Sequence, residues 1–201
     1  MPGSSDLTEL LGRRVLDVAP RLLGSVLRHG DVAVRITEVE AYNGADDPGS
    51  HAYRGRTGRN AVMFGPPGRL YVYFTYGMHH CCNVVCGPAG TPSAVLLRAG
   101  EVVEGLEAAR ARRGGAIDRD LARGPARLCQ ALAISRDQNG VELASGSLTL
   151  VTGDPVIDYR TGPRVGLRGA PERPWRFWIP GDPTVSAYRP AKPRPVSGDP
   201  I

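Results

Sequence analysis

The chain has 201 residues, 41% of them hydrophobic, which is enough to form the buried core of one large domain. Its 25 basic residues exceed its 20 acidic ones, for a formal net charge of +5, and Lys192 is the only lysine. Arginine matches phosphates and base edges, so this charge favours a polyanionic partner, although a GC-rich genome would produce the same composition. The sequence contains no apolar run of about 18 residues, so we expect a cytoplasmic protein without a membrane span or signal peptide.

Hydrophobic periodicity predicts the elements in chain order. Leu7, Leu10 and Leu11 have helical spacing. From Val32 the apolar residues recur at every second position, which predicts a half-buried strand that continues through Glu40. Further on we predict a loop at 43–69, strands at 70–76 and 93–100, helices at 101–112 and after Pro125, and short strands at 147–151, 164–167 and 175–179.

The order of these elements indicates the fold class. Because strands and helices do not alternate strictly, we expect an α+β fold with a mostly antiparallel sheet. No linker-like stretch divides the middle of the chain, so residues 1–189 are expected to form a single domain and the proline-rich segment 190–201 a disordered tail. In a cytoplasmic protein the four cysteines are expected to be reduced thiols: Cys81, Cys82, Cys86 and Cys129.

The stretch LYVYFTYGMHHCCN, residues 70–83, combines histidines, cysteines and tyrosines. A tetrahedral zinc site needs pairs of ligands that converge on one point. Neighbouring residues of an extended segment point to opposite faces, so His79 and His80 cannot easily converge, and neither can Cys81 and Cys82. We therefore expect no metal site, and we interpret the cysteines as small buried side chains.

The same stretch also reads as a strand with two different faces. Leu70, Val72 and Phe74 would pack in the core, and the tyrosines at alternate positions would occupy the other face. A tyrosine there is commonly a residue at the rim of the core. The arginine-rich loop just upstream, however, supplies the cationic groove that accompanies flat aromatic rings in nucleic-acid binding; its arginines are Arg54, Arg56 and Arg59.

A second group of candidate residues lies in TEVEAYNG. Glu38 and Glu40 share one strand face, and Tyr42 continues that face. Two such carboxylates are either solvated or, if buried, one is protonated or paired with an arginine. Together with His51 and Tyr73, these residues suggest a pocket with flat walls and one carboxylate. Such a pocket suits a base that has been extruded from a duplex.

Several spaced segments together resemble the mammalian type of the 3-methyladenine (alkyladenine) DNA glycosylase family. The resemblance runs from about residue 21 to 188. It is carried by EVEAY, SHAYRGRTGRNAVMFGPPGRLYVYFTYGMHHCCN, AVLLRA, GPARLCQALAI, RVGL and RPWRFWIPGDPTVS. It implies a compact α+β domain around a curved, open-barrel-like antiparallel sheet, with surrounding helices and a protruding hairpin that enters the DNA minor groove.

The resemblance also implies roles for individual residues. Glu40 would be the general base that activates water, and Arg98 would help to hold that water. Tyr42 would stack on one face of the flipped base, with His51 and Tyr73 against the other. The main chain at His51 would offer a hydrogen bond to the base edge.

Four further roles follow from the resemblance. Tyr76 would fill the gap left in the DNA stack, and Met78 would line the side that faces DNA. Asn83 would crowd the 2-amino group of guanine at the pocket floor. His79 departs from the bulky tyrosine of the mammalian members, so it is expected to alter intercalation and lesion preference but not the reaction.

The implied reaction is hydrolysis of the N-glycosidic bond in base excision repair, with no metal or organic cofactor. The partner would be double-stranded DNA that contains 3-methyladenine, 7-methylguanine, hypoxanthine or ethenoadenine, bound by a monomer in the cytoplasm or nucleoid.

Two alternatives remain open at this point. A bifunctional glycosylase and lyase would attack through an amine such as that of Pro2. A non-catalytic binding module would need only the tyrosines and arginines.

Overall fold

A computed structural model describes residues 4–75 and 77–192. Within them, eight strands form one sheet in which every pairing is antiparallel, and short helices surround it, so the predicted α+β class is confirmed. The sheet does not close into a barrel; its main order is β3-β4-β5-β2-β1-β6, and the pair β7 and β8 branches from β2. The strands are β1 Val26–His29, β2 Val32–Tyr42, β3 Leu70–Thr75, β4 His79–Val85, β5 Ala94–Glu104, β6 Leu148–Val151, β7 Arg160–Gly162 and β8 Arg176–Trp178.

Four α-helices pack around this sheet in the described residues. They are α1 Ser4–Leu11, α2 Val15–Val18, α3 Leu106–Arg113 and α4 Pro125–Ala131. Pro125 lies in the first turn of α4, where its missing N–H costs nothing. Leu128 and Ala131 of α4 are fully buried in the same core as the apolar residues of the sheet, so the predicted apolar stripe of this helix is confirmed.

The long strand β2 is the centre of the sheet. It pairs with β5 along its length, while on its other side β1 pairs with the first half and β8 with the second. The prediction of a half-buried strand is wrong, because both faces of β2 are covered. The C-terminal segment covers the face that was expected to be open: the Thr37 hydroxyl lies 2.8 Å from that of Thr184, and the Ile179 N–H donates to the Thr37 carbonyl.

The strand β5 is longer than predicted. Residues 101–104, which we assigned to a helix, pair with β2 instead, with Glu101 opposite Arg35 and Val102 opposite Val34. The strand ends at Gly105, which has a φ of +72° in the left-handed region, and α3 begins only after it. The predicted helix therefore exists but starts about five residues late.

The segment RVGL, residues 164–167, is not a strand. The nearby strand β7 is Arg160–Gly162, and RVGL forms a turn in which Gly166 has a φ of +67°. Arg164 within it is almost completely buried. A buried guanidinium requires charged or polar partners, and these fix the backbone in a conformation that the short apolar pattern did not predict.

The hairpin of β3 and β4 agrees with the prediction in part. Leu70 and Val72 are buried in the core, as expected. Phe74 is 44% exposed and packs against His80 instead, because the hairpin extends beyond the core at this end. Tyr76 lies outside the described residues.

Several smaller expectations can be compared with the structure. All four cysteines are buried and free, in agreement with the predicted reduced thiols. Across residues 4–75 and 77–192, no three His, Cys, Asp or Glu side chains form a group that could hold a metal ion. None of the described helices is both long and apolar enough to cross a membrane. Residues 193–201 of the predicted tail, and Pro2, fall outside the described part of the chain.

Leu70 and Phe74 provide a matched test of this core boundary, since both lie on the same predicted face of β3. We expect Leu70→Ala to lower the free energy of unfolding by about 2–5 kcal/mol, as for other large-to-small core changes. Phe74→Ala should cost less than about 1 kcal/mol. Urea denaturation measures both, and equal losses would show that Phe74 contributes to the core after all.

Candidate active site

A cavity of about 570 Å³ opens between β2, the β3–β4 hairpin and the turn at 165–167. Seven of the nine predicted site residues line this cavity: Glu40, Tyr42, His51, Tyr73, His79, Asn83 and Arg98. Met78, another of the nine, is not among the lining residues and is 69% exposed. Residues as distant in sequence as Tyr42 and Arg98 therefore meet in one cavity.

Glu40 has no solvent-exposed surface, and its carboxylate has two hydrogen-bond donors. The Tyr42 hydroxyl donates to Oε2 at 2.8 Å, and the Val165 main-chain N–H donates to Oε1 at 2.7 Å. Hydrogen bonds of this kind hold a carboxylate in one orientation. Glu40 is thus a buried carboxylate with a fixed orientation at the wall of the cavity.

Glu38 is equally buried but has a different set of partners. The Arg176 Nε donates to it at 2.5 Å, and the Ser186 N–H donates to it at 2.7 Å. It is absent from the lining of the cavity, whereas Glu40 is part of it. The expectation that one carboxylate of the pair is matched by an arginine is confirmed by Glu38. Of the two carboxylates, only Glu40 is placed to meet a ligand in the cavity.

Arg98 lies between the two carboxylates. Its Nε is 3.1 Å from Glu38 and 3.6 Å from Glu40. The register explains its position: Glu38 pairs with Ala99 and Val39 with Leu97, so Arg98 is the extra residue of a β-bulge. No described residue accepts a directed hydrogen bond from its buried Nε–H, so both contacts are ion pairs.

Aromatic rings form the walls of the cavity. His51 packs edge-on against Tyr73, with ring centroids 4.5 Å apart, and its Nδ1 lies 3.1 Å from the Tyr71 hydroxyl. Tyr71 and Tyr73 face the cavity together because they occupy alternate positions of β3. Tyr42 belongs to β2 and approaches the same cavity from the sheet.

Desolvation shifts the protonation equilibria of these walls. It raises the pKa of Tyr42 well above its usual range, and the adjacent Glu40 carboxylate adds to that effect. Desolvation also raises the pKa of Tyr73, and the neighbouring Cys81 makes the second largest contribution to that shift. The pKa of His51 is lowered, mainly by partial desolvation and to a smaller extent by the nearby Arg59 guanidinium. At neutral pH both tyrosines are therefore protonated and His51 is a neutral ring.

The strand β4 supplies the floor and one side of the cavity. His79, Cys81 and Asn83 alternate along it and all three line the cavity. Asn83 is 5% exposed, and its Nδ2 donates to the Tyr71 carbonyl at 3.1 Å, which fixes the orientation of its amide. Burial raises the pKa of Cys81 to about 11, so this thiol is not ionised at neutral pH.

The sequence did not single out three residues that contribute to the site. Val165 donates to Glu40 through its main chain, and Tyr71 contacts His51, although we regarded it only as a strand residue. Arg164 packs beneath Tyr42, with its guanidinium carbon 4.7 Å from the ring centroid. No sequence signal marks a main-chain donor, whereas the placement of an arginine in the apolar segment RVGL is a signal that could have been used.

A second cavity of about 410 Å³ adjoins the first, since Arg98, Val165 and Arg189 line both. Its lining adds the guanidinium groups of Arg123 and Arg127, and Arg123 is paired with Asp120, which lines the same cavity, at 3.3 Å. Such a surface next to an aromatic cavity can bind an anion that is attached to a flat ring. The two cavities together suit a nucleotide better than a free base.

The chemistry available in the larger cavity is acid–base and electrostatic. A buried carboxylate can accept a proton from water and can stabilise positive charge that develops on a bound molecule. Rings on two sides can hold a planar heterocycle between them. The arrangement therefore supports hydrolysis at a carbon bonded to a planar leaving group.

Comparison with known proteins identifies the family. A sequence profile of the methylpurine-DNA glycosylase family matches residues 9–183. A protein of Streptomyces avermitilis is 58% identical over 205 aligned residues, 96% of each chain. One of Leifsonia xyli subsp. xyli is 57% identical over 187 residues, 87% of this chain and 88% of its own. One of Burkholderia lata is 52% identical over 191 residues, 92% of each chain. All three are provisionally named 3-methyladenine DNA glycosylases.

The chain therefore belongs to the methylpurine-DNA glycosylase family, and the resemblance found in the sequence is confirmed. It is a DNA glycosylase, an enzyme that hydrolyses N-glycosidic bonds in DNA.

Proposed function

We propose that this glycosylase flips alkylated or deaminated purines out of duplex DNA and hydrolyses their N-glycosidic bond, as the first step of base excision repair. The observation that carries the proposal is the buried Glu40 carboxylate at the wall of a cavity with aromatic sides. The substrates are 3-methyladenine, 7-methylguanine, hypoxanthine and ethenoadenine. The enzyme works as a monomer, through a catalytic domain that spans residues 1–189.

Glu40 is proposed to act on both halves of the reaction. Cleavage of the bond between C1′ and the base nitrogen builds positive charge on the sugar, which a fixed carboxylate stabilises. The same group accepts the proton of the attacking water, so that the hydroxyl adds to C1′ and the base leaves. Arg98 is proposed to hold this water. Its place in the lining of the cavity and its distance of 3.6 Å from Glu40 support that role.

The aromatic walls are proposed to hold the flipped base. Tyr42 stacks on one face, and His51 with Tyr73 on the other. The His51 carbonyl accepts a hydrogen bond from Asn60 Nδ2 at 2.9 Å, so the His51 N–H is the main-chain group left to meet the base edge. The volume of the cavity, about 570 Å³, is in the range of small-molecule sites and can admit a purine with its sugar.

Selection among purines is proposed to depend on Asn83 and on the leaving group. The buried, oriented amide of Asn83 at the floor would crowd the 2-amino group of guanine. Alkylation at N3 or N7 makes the purine cationic and a good leaving group, so a stacking pocket with little selectivity suffices for such lesions. Neutral lesions require protonation of the base before it can leave. The preference among lesions can differ from that of the mammalian members because this chain has His79 at the cavity wall.

The arginines outside the catalytic centre are proposed to contact DNA phosphates. They belong to the lining of the second cavity and to the loop at 54–59. Arg127 and Arg189 have no side-chain ion pair with any described residue and are available to an external anion. A duplex that spans this surface would place the extruded nucleotide above Glu40, with the hairpin tip in the minor groove.

The two alternative functions are less well supported. A binding module without catalysis has no use for a buried carboxylate in its pocket, because that charge repels DNA. A lyase needs an amine near C1′. Lys192 is exposed and is not part of the cavity lining, and Pro2 lies outside the described residues.

The first functional prediction separates the two carboxylates. Glu40→Gln keeps the shape of the side chain and removes its charge, so excision in a single turnover should fall by about 10²- to 10⁴-fold while DNA binding persists. Glu38→Gln should mainly lower the free energy of unfolding, because it leaves Arg176 without its buried partner. If Glu40→Gln excises at the parent rate and Glu38→Gln does not, the catalytic carboxylate has been misassigned.

The second functional prediction concerns salt. If several arginines contact phosphates, log K for a lesion duplex should fall against log[salt] with a slope of about 0.9 per contact. Arg127→Gln should reduce that slope by about one contact. Arg98→Ala should lower the excision rate and leave the slope nearly unchanged. Arg160→Gln, at an exposed position on β7, is the control variant. A salt response of the parent protein that is flat would contradict a duplex substrate.

The third functional prediction compares two tyrosines. Tyr76→Ala should impair flipping in a fully paired duplex and recover in part at a mismatch or bulge, where less stacking is lost. Tyr73→Ala should weaken recognition of the flipped base in both contexts. Fluorescence of a 2-aminopurine beside the lesion reports unstacking. Because His79 can share the wedge role, a normal flipping signal in a Tyr76→Ala, His79→Ala double variant would exclude that role for the hairpin tip.

A further inference from the structure

We propose that Arg164 and Asp47 form a buried positioning pair that fixes Tyr42, His51 and Glu40 relative to one another; the proposal rests on the function assigned to the cavity above. Neither residue is among those that line the cavity, so neither is a catalytic residue. Their effect on the reaction would pass through the side chains they hold.

The pair itself is completely buried. Arg164 Nη1 lies 2.5 Å from Asp47 Oδ2 and Nη2 lies 2.7 Å from Oδ1, and both side chains have 0% exposure. This is the bidentate geometry that gives an arginine–carboxylate contact its directionality. Removing two charges from water is costly, and apolar residues can often replace a buried pair without loss of stability. The contacts around the pair therefore need an explanation beyond the stability of the fold.

The arginine end of the pair fixes Tyr42. Nη1 of Arg164 also donates to the Ala41 carbonyl at 2.9 Å, which anchors the backbone next to Tyr42. The guanidinium lies 4.7 Å from the Tyr42 ring centroid and 5.2 Å from that of Trp175. The ring is thus supported on its covered side by a planar cation. A shift of Arg164 would tilt the surface on which the base is proposed to stack.

The same arginine is linked to Glu40. Val165 follows it directly in the chain, and the Val165 N–H donates to Glu40 Oε1 at 2.7 Å. Tyr42 donates to the other carboxylate oxygen at 2.8 Å. Both hydrogen bonds that hold Glu40 therefore come from groups that Arg164 positions.

The carboxylate end of the pair leads to the opposite wall. Asp47 accepts a hydrogen bond from the Gly49 N–H at 3.0 Å through its side chain and one from the Ser50 N–H at 2.8 Å through its carbonyl. His51 follows at once in the chain. Gly49 approaches the pair so closely that a Cβ there would lie 2.9 Å from Arg164 Nη2. One ion pair thus connects the turn that carries His51 with the strand that carries Tyr42 and Glu40.

The test uses three variants in the full chain. Arg164→Lys keeps the charge but loses the planar fork. Asp47→Asn keeps the shape but loses the charge. The double variant Arg164→Met, Asp47→Leu replaces the pair by apolar side chains and guards against a simple loss of folding. Arg35→Lys is the matched control, because Arg35 pairs with Asp182 at 2.9 Å in a network that does not line the cavity.

Three quantities are measured for each variant: the urea midpoint, the affinity for a lesion duplex, and the single-turnover rate of base release with saturating enzyme. We expect the variants of the pair to bind DNA within about threefold of the parent, since phosphate contacts dominate affinity. The excision rate should fall by about 10- to 100-fold, as expected for misplaced reacting groups. Arg35→Lys should excise at the parent rate.

Measuring the excision rate at two temperatures distinguishes a positioning role from a purely stabilising one. At 10 °C and 37 °C the folded double variant should show the same fractional loss of rate, whereas a loss that disappears on cooling would assign the pair to stability alone and overturn the proposal. A folded double variant that excises at the parent rate would also overturn it. If the parent protein itself released no base from the lesion duplex, the proposed function would fail instead, so the two failures are distinguishable.

Discussion

Two carboxylates are buried at alternate positions of one central strand, and much of the structure serves to neutralise them. Glu38 and Glu40 have no exposed surface, and bringing two like charges so far from water is unfavourable unless each is matched. Arg98 and Arg176 supply the matching charges, and main-chain N–H groups of Val165 and Ser186 supply hydrogen bonds. In the proposed mechanism Glu40 is the carboxylate that acts on the substrate, and Glu38 lies 3.1 Å from the Arg98 guanidinium beside it.

This constraint explains features of the fold that otherwise look irregular. The bulge in β5 brings Arg98 between the carboxylates, and the branch of the sheet at β8 brings Arg176 to the same point. The C-terminal segment crosses β2, where the Ser186 N–H donates to Glu38 and the Thr184 hydroxyl contacts that of Thr37. The bulge in β5 and the branch at β8 are thus tied to the electrostatics of the site.

The sequence predicted those parts of the protein that depend on local pattern or on a family resemblance. The α+β class, the strand at β2 and a shared pocket for Glu40, Tyr42 and Tyr73 could be predicted from local pattern, since alternation places side chains on faces. The resemblance added Asn83, which also lines the cavity. Long-range pairing could not. The helix predicted at 101–112 is partly strand because β2 pairs with it, and RVGL is a turn because Arg164 finds Asp47 more than a hundred positions away. Phe74 was assigned to the core because periodicity does not show where a hairpin leaves the domain.

The distance along the chain between Glu38 and its partners bears on how the protein is made. Glu38 and Ser186 are 148 positions apart, and Arg176 is 138 positions from Glu38. At translation rates of about 5–20 residues per second, roughly 7–30 s pass between the synthesis of the carboxylate and that of its last donor. During this interval the nascent chain holds charged side chains at positions that can be buried only later. The central strand therefore cannot reach its final environment before nearly the whole domain has been translated, and an incomplete chain lacks the groups that surround Glu38 in the finished fold.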